Sequence, residues 1–527
     1  MTPPPAYLAQ NNFVVGDLDG NRRILLESAQ KASQQNASVM VSPELALTGY
    51  CPEDMLHDAA FVESAMRELH SLAAQAPSLP LLIGLPWREN GDLYDAAALV
   101  RNGRVEHVYK KVFLPNYSVF DERRYFHSGA NEPLVFEAGG DSFAVQICAD
   151  VWEPKQAEQV AEKKVGWTLS LNASPFHLGK HRERTDMAAR FCQTSGGGLF
   201  YCNLLGGQDE LIFDGASFVM DAKGHVKQQL PAFAENDNLM DDSPYPSSSA
   251  AAYEALKMGI RDYVAKTGFG GVVLGLSGGV DSALTAAAAA DALGGGHVLA
   301  VMMPSRHTSS ASLEDAAATA ANIGAELLTI SIDPLMDAVY AALSPHLHER
   351  RNDVTLENVQ ARLRGQLLMA LANNRGLLLL ATGNKSELAC GYATLYGDMC
   401  GGFAPLKDVS KTRVWALCKH RNAQTEVIPS RVITRAPSAE LRDNQTDQQT
   451  LPPYAQIDAA IEAHVEDGRP RDEWAPKVGD DIAETFLNLL AAGEHKRRQG
   501  AIGPKITRRA FGRDWRMPVA GRFRRDA

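Results

Sequence analysis

Eight residues, Gly275-Leu276-Ser277-Gly278-Gly279-Val280-Asp281-Ser282, close an apolar run and open an alanine-rich stretch. Glycines let the backbone turn tightly and expose its N–H groups, and a helix start adds partial positive charge, so the segment suits a phosphate. The lysine of GxxxxGK[ST] is absent, which excludes a Walker A loop. The bland alternative is a strand-to-helix turn with Ser as its N-cap. Against it stands a second polar strand end, Ala381-Thr382-Gly383-Asn384-Lys385-Ser386-Glu387, which brings a carboxylate to the same kind of sheet edge.

A different chemistry is spelled out nearer the start. Cys148 ends the run Phe143 to Ile147, and a lone free cysteine is more often a small buried hydrophobe than a nucleophile. Its company matters more. Ser42-Pro43-Glu44-Leu45 follows the run Ser38 to Val41, and Tyr109-Lys110-Lys111-Val112-Phe113-Leu114-Pro115 follows another. Amide hydrolysis needs a base to take the thiol proton, a thiolate to attack and a cation for the oxyanion. Glu44, Cys148 and a lysine of the 110–111 pair supply those types. Cys192 and Cys202 lie in apolar surroundings and read as core.

Residues 1–235 read as alternating strands and helices, with runs at Leu81 to Leu85 and Thr168 to Leu171 and a tight hairpin turn at Asn102-Gly103. Residues 236–252 lose apolar periodicity and concentrate Asp, Pro and Ser, as a linker does. From 253 to 527 strands alternate with helices: Gly271 to Leu276, a helix from Asp281, His297 to Met303, a helix from Ser312, Glu326 to Ile332, a helix over Thr355 to Asn373, then Leu377 to Ala381. Such alternation predicts a doubly wound parallel α/β sheet, with ligands at the carboxyl ends of its strands. The polar stretch Arg435 to Pro453 reads as a mobile loop.

Composition bounds the function. A net charge of −11 over 527 residues disfavours a nucleic-acid partner. Seven scattered cysteines without CxxC spacing argue against a disulfide framework or zinc cluster and for a reducing compartment, and no long apolar run suggests a membrane span. The expected address is the cytoplasm.

The stretch TGNKSELACGYATLYGDMCGGFAPLKDVSKT resembles the NAD synthetase signature, and SGGxDS at 277–282 resembles the pyrophosphate loop of the N-type ATP pyrophosphatases. The likeness extends through Glu357 to Arg362, through Pro437 to Leu441 and into KRRQGAIGPKITRRAFGRDWR. It implies ATP cleaved to AMP and pyrophosphate, with Gly275 to Ser282 and Thr382 as ATP contacts. It also implies Asp281 and Glu387 as magnesium ligands, and Asn358, Glu387 and Lys505 as contacts to deamido-NAD. The basic residues Lys496, Arg497, Arg498, Lys505, Arg508, Arg509 and Arg513 read either as a solvated face or as partners for phosphates.

The first half resembles the nitrilase superfamily, whose glutaminase branch is found fused ahead of NAD synthetases. That likeness implies an α-β-β-α sandwich, with Glu44 as general base, Lys111 (by its distance from Leu114-Pro115) as oxyanion stabiliser and Cys148 as nucleophile. LPNYSVFDERRYF adds Tyr117 as a glutamine contact and Glu122 as a second carboxylate, and Ser174 and Lys180 would hold the rest of glutamine. One departure is Ala149, where many relatives carry an acid. Together the two resemblances imply glutamine hydrolysis coupled to ATP-dependent amidation of deamido-NAD, ammonia sheltered on its way, and a homo-oligomer built through the synthetase half. The alternatives are another glutamine-dependent ligase with the same loop, or a synthetase fed by free ammonia beside a decayed glutaminase.

Overall fold

The computed structural model describes residues 2–236, 239, 242–348, 354–438, 440–442 and 445–521. Of the stretches expected as linker and loop, 237, 238, 240, 241, 439, 443 and 444 lie outside the described residues, as do 349–353 and 522–527. The chain divides into two compact units, Met1–Ser247 and Ser248–Ala527.

In the first unit, strands β1 (Ala6–Leu8), β2 (Val39–Val41), β3 (Leu81–Glu89), β4 (Asp92–Arg101) and β5 (Arg104–Lys110) form one sheet in that order. A second sheet contains β6 (Leu134–Ala138), β7 (Asp141–Ile147), β8 (Trp167–Asn172) and β9 (Gly198–Asn203). After the hairpin β10 (Leu205–Gln208) and β11 (Leu211–Asp214), β12 (Phe218–Met220) and β13 (Val226–Gln229) complete it, in the order β13-β12-β9-β8-β7-β6.

Period-two alternation sends successive side chains to opposite faces of each sheet. Ala6, Leu8, Val39, Val41, Leu82 and Leu99 meet Val145, Ile147, Leu169, Leu171 and Phe200 in a core between the sheets. The intervening Tyr7, Met40, Leu81, Ile83 and Ala98 face the opposite way, against helices α1 (Leu18–Gln34) and α2 (Ala59–Gln75). Helices α3 (Pro154–Lys163) and α4 (Lys180–Ser195) cover the second sheet through Val160, Met187 and Phe191. The result is an α-β-β-α sandwich. The expected turn at Asn102-Gly103 joins β4 to β5, with both residues at positive φ (52° and 77°), as a two-residue hairpin requires. Cys192 and Cys202 are buried in the core.

The second unit opens with α5 (Ser248–Thr267), so the stretch expected as linker ends inside a helix. Its earlier part is tied down: Asn236 Nδ2 donates to Leu8 O at 3.1 Å, and Tyr245 OH donates to Asp214 at 2.8 Å. Four parallel strands, β14 (Val272–Gly275), β15 (Val298–Met302), β16 (Glu326–Thr329) and β17 (Leu378–Leu379), run in the order β16-β15-β14-β17. Helices α6 (Val280–Leu293), α7 (Ser310–Ile323), α8 (Asp333–Leu343) and α9 (Thr355–Arg375) connect them. The chain steps outward from β14 to β16 and then returns to the far side of β14, which makes the gap between the β14 and β17 exits the topological switch point. The strand expected over Glu326 to Ile332 is shorter because Ile332 instead caps α8. No helix among the described residues is long and apolar enough to cross a membrane.

Candidate functional sites

Glu44, Lys111, Cys148 and Ser174 each follow the end of a strand, β2, β5, β7 and β8 respectively, so one rim of the sandwich gathers them. Lys111 Nζ donates to Glu44 Oε1 at 2.5 Å and to Glu122 Oε2 at 2.7 Å, and Asp95 Oδ2 lies 3.4 Å away. All four side chains are buried. Glu44 Oε2 accepts the Ala173 N–H at 2.8 Å and Glu122 Oε1 accepts from Tyr50 OH at 3.1 Å. Lys110 points elsewhere, pairing with Glu89, which separates the two lysines.

Cys148 occupies the first turn after β7 with φ of +43°. A non-glycine residue held in that region stores strain and projects its side chain from a sharp bend. The thiol lies within electrostatic reach of Glu44, Lys111 and Glu122 and against the Ala173 N–H. Burial first, then the Glu44 carboxylate, pushes it well above its ordinary range, against the pull of Lys111. The resting sulfur is therefore a thiol that needs a base. Burial would lower the Lys111 ammonium, but Glu122, Glu44 and Asp95 outweigh it and hold the charge in place. Burial also raises Glu122 to about 7.

Two acids absent from the sequence reading organise this rim. Asp95 sits mid-strand in β4. Asp150, two residues past the thiol, accepts from Val112 N at 3.1 Å, Phe113 N at 2.8 Å, Ile147 N at 3.1 Å and Tyr109 OH at 2.9 Å. Of the expected glutamine contacts, Ser174 is buried and held by Arg184, whose Nε donates to its Oγ at 3.0 Å while Nη1 pairs with Asp214 at 2.7 Å. Lys180 lies over the Trp152 ring at 4.4 Å, and burial lowers its ammonium. Tyr117 is exposed at 67%, yet its phenol feels Cys148 and Glu122.

In the second unit the Gly275–Ser282 segment turns from β14 into α6. Leu276 N donates to Val301 O at 3.0 Å, and Ser282 Oγ accepts the Ser277 N–H at 3.2 Å. Gly278 has φ of +80°, and a Cβ there would stand 2.3 Å from Ser312 O, so only glycine fits. Val280 opens the helix that points its N-terminus at this turn. Thr382 follows β17, the strand paired with β14.

Asn384 caps the short helix α10 (Lys385–Cys390) in a reciprocal box with Glu387, and its Nδ2 donates to Asp281 Oδ1 at 2.8 Å. Lys411, in helix α11 (Lys411–Asn422), reaches both acids, 2.5 Å from Asp281 Oδ2 and 3.2 Å from Glu387 Oε1. Burial raises the Glu387 carboxyl to about 8 despite Lys411. A pocket open to solvent borders Gly383, Glu387, Ala393, Asp398 and Arg497.

Asn358 accepts from Thr394 Oγ1 at 2.9 Å, which ties α9 to the GYATLYGDM segment. Lys505 is buried, paired with Asp514 and donating to Arg508 O at 2.8 Å, so its ammonium is already engaged. Arg498 and Arg508 are exposed, as a solvated face expects, but Lys496 and Arg497 are turned onto backbone carbonyls. Lys496 Nζ donates to Gly391 O and Ala393 O, both at 2.7 Å, and Arg497 Nη1 to Leu388 O and Ala389 O, both at 3.0 Å. These cations pin the backbone that carries Glu387. The stretch expected as a mobile loop is likewise tethered, by Arg435 Nη2 to Gly278 O at 2.9 Å and by Asp447 N to Pro437 O at 3.1 Å.

Comparison with known proteins follows the same division. A family described as carbon-nitrogen hydrolase matches residues 6–239, and one described as NAD synthase matches 252–500. The glutamine-dependent NAD(+) synthetase of Acinetobacter baylyi is 43% identical, with 98% of each chain covered. That of Aquifex aeolicus is 40% identical, covering 98% of this chain and 99% of its own. A solved glutamine-dependent NAD+ synthetase from Acinetobacter baumannii, in complex with ADP, superposes with a TM-score of 0.79 at 40% identity over 98% of both chains.

Proposed function

The chain belongs to the family of glutamine-dependent NAD(+) synthetases, and on that premise we propose how its residues divide the work. The first unit hydrolyses glutamine to glutamate and ammonia; the second uses ATP to convert deamido-NAD to NAD. Glu44 takes the Cys148 proton as the sulfur attacks the glutamine amide carbon. The Lys111 ammonium faces the negative charge that develops on the amide oxygen. Ammonia leaves with the proton returned from Glu44, and water then cleaves the thioester with Glu44 again as base, releasing glutamate. Tyr117, Glu122, Ser174 and Lys180 line the site for the amino-acid end of glutamine. The observation that carries this reading is the buried Glu44–Lys111–Glu122 cluster against a thiol in a strained turn.

In the second unit the deamido-NAD carboxylate attacks the α-phosphate of ATP, pyrophosphate departs, and ammonia displaces AMP. The N–H groups of Ser277 to Ser282 and the start of α6 hold phosphate oxygens, with Thr382 at the neighbouring strand exit. Asp281 and Glu387 fit a divalent cation, because their carboxylates already converge on the single cation of Lys411. Magnesium there would offset the charge of departing pyrophosphate. Asn358, Glu387 and Lys505 are assigned to deamido-NAD, Lys505 by exchanging its Asp514 partner. A cytoplasmic address and a homo-oligomer through the synthetase unit complete the proposal.

The test is a paired assay of NAD formation with glutamine and with ammonium, in the parent enzyme and in Cys148→Ala. The variant should lose glutamine-driven synthesis and keep ammonium-driven synthesis. Glutamine-driven NAD at parental rates would remove Cys148 from the reaction.

A further inference from the structure

Three carboxyl groups share one ammonium in the buried rim of the first unit. Glu44, Asp95 and Glu122 each present an oxygen within 4.8 Å of the others. Lys111 Nζ stands among them at 2.5, 3.4 and 2.7 Å respectively, and no side chain of the four is more than 3% exposed. With all three acids ionised the cluster would carry two uncompensated negative charges away from water. Such a cluster keeps a proton instead.

The hydrogen bonds identify which acid holds it. Glu44 accepts from Lys111 and from the Ala173 N–H, and Glu122 accepts from Lys111 and Tyr50 OH. Neither carboxyl oxygen of Asp95 has a hydrogen-bond donor among the described residues. Lys111 lies 3.4 Å from it, an ion pair without a good hydrogen bond. The titratable groups facing it come from three directions: Lys111 past the end of β5, Glu44 after β2, and Glu122 from the segment beyond. On β3, the residue opposite is Pro86, which carries no charge. An anion with two acidic neighbours, one distant ammonium and no donor is the least stabilised of the three.

We infer that Asp95 is a neutral carboxylic acid in the working enzyme, donating its proton toward Glu44 and so positioning the general base. Burial and then the Glu44 charge act in that direction, against Lys111. A protonated carboxyl offers one O–H donor, and Glu44 is the neighbour close enough to accept it. Neutrality matters for the chemistry as well. When the thiol proton moves to Glu44, a negative charge moves to sulfur and then to the amide oxygen, and an ionised Asp95 would oppose both. The inference rests on the assignment of Glu44 as base.

Asp95→Asn, neutral and of the same shape, should hold glutaminase kcat/KM and its acid limb within about tenfold and a few tenths of a pH unit of the parent. Asp95→Ala lacks any donor; its kcat should fall by more than about tenfold with KM little changed. Infrared spectra at neutral pH should show a protonated-carboxyl carbonyl band in the parent and in Cys148→Ala that Asp95→Asn lacks. Should Asp95→Asn not fold, Asp95→Ser, neutral with a hydroxyl donor, serves for the same subtraction. No band difference overturns the inference, and so does a greater than tenfold loss of kcat in Asp95→Asn. Because the infrared measurement needs no turnover, its outcome is separable from that of the Cys148→Ala assay.

Discussion

The Asp150 carboxylate accepts the Phe113 N–H at 2.8 Å, and through it the turn that presents Cys148 is bonded to the strand exit that presents Lys111. The same side chain also takes Val112 N, Ile147 N and Tyr109 OH. Asparagine offers only one acceptor oxygen, so Asp150→Asn leaves part of this set unpaired and lets nucleophile and cation drift apart. We expect glutaminase kcat to fall on the order of a hundredfold with KM nearly unchanged, since misplacement of the reacting groups is the loss. Steady-state kinetics on glutamine decide it; a KM rise equal to the kcat loss would point to a binding role.

Lys111→Met removes the only ammonium paired with Glu44, Asp95 and Glu122 among the described residues. Breaking a buried ion pair from one side costs about 3–5 kcal/mol. Chemical denaturation of the first unit should register that loss, and Lys111→Met/Glu122→Gln should recover part of it. Both variants should lack glutaminase activity.

Because burial and Glu44 hold the Cys148 thiol well above its ordinary range, the thiolate is a minor species at neutral pH. The sign follows directly: for a raised pKa, the reactive anion grows roughly tenfold per pH unit until that pKa is passed. Alkylation of Cys148 by iodoacetamide should therefore accelerate through neutral pH without a plateau, monitored by mass spectrometry. A plateau below neutral pH would mean a preformed thiolate.

Gly278→Ala places a Cβ at positive φ and 2.3 Å from Ser312 O. The turn must shift, and its N–H groups lose their aim at phosphate. ATP-dependent NAD formation with ammonium should drop by at least about a hundredfold, while glutamine hydrolysis persists. Parallel assays of the two half-reactions test this.

Arg497 is buried, and its guanidinium serves Leu388 O, Ala389 O and Glu494. Arg497→Ala should destabilise the second unit by about 2–4 kcal/mol, through unsatisfied carbonyls and an unpaired acid. If Arg497 were a phosphate partner on a solvated surface, stability would hold and only substrate affinity would change; thermal melts alongside substrate titration separate the two.

Much of the architecture was legible because it follows from local rules. Apolar runs such as Leu81 to Leu85 alternate faces, and that alone builds both sheets of the sandwich. Gly278 was legible for the same reason, since a strand-to-helix turn needs positive φ there. Asp95 was not, although a single acid inside the run Leu93 to Val100 is itself a signal. Asp150 had a fainter one, its place just past the thiol. The roles of Lys496 and Arg497 had none, because which carbonyls a fold leaves unpaired is not written in chain order.

The sequence by itself determined the chemical inventory: a thiol, a carboxylate and an ammonium at strand ends, and a glycine turn ahead of a helix. Tertiary structure alone decided that Glu44, Asp95 and Glu122 all crowd Lys111, and that Lys411 lies between Asp281 and Glu387. The physical reason is that charge pairing and desolvation depend on distance and burial in space. Residues far apart along the chain acquire both only when the sheets close over them.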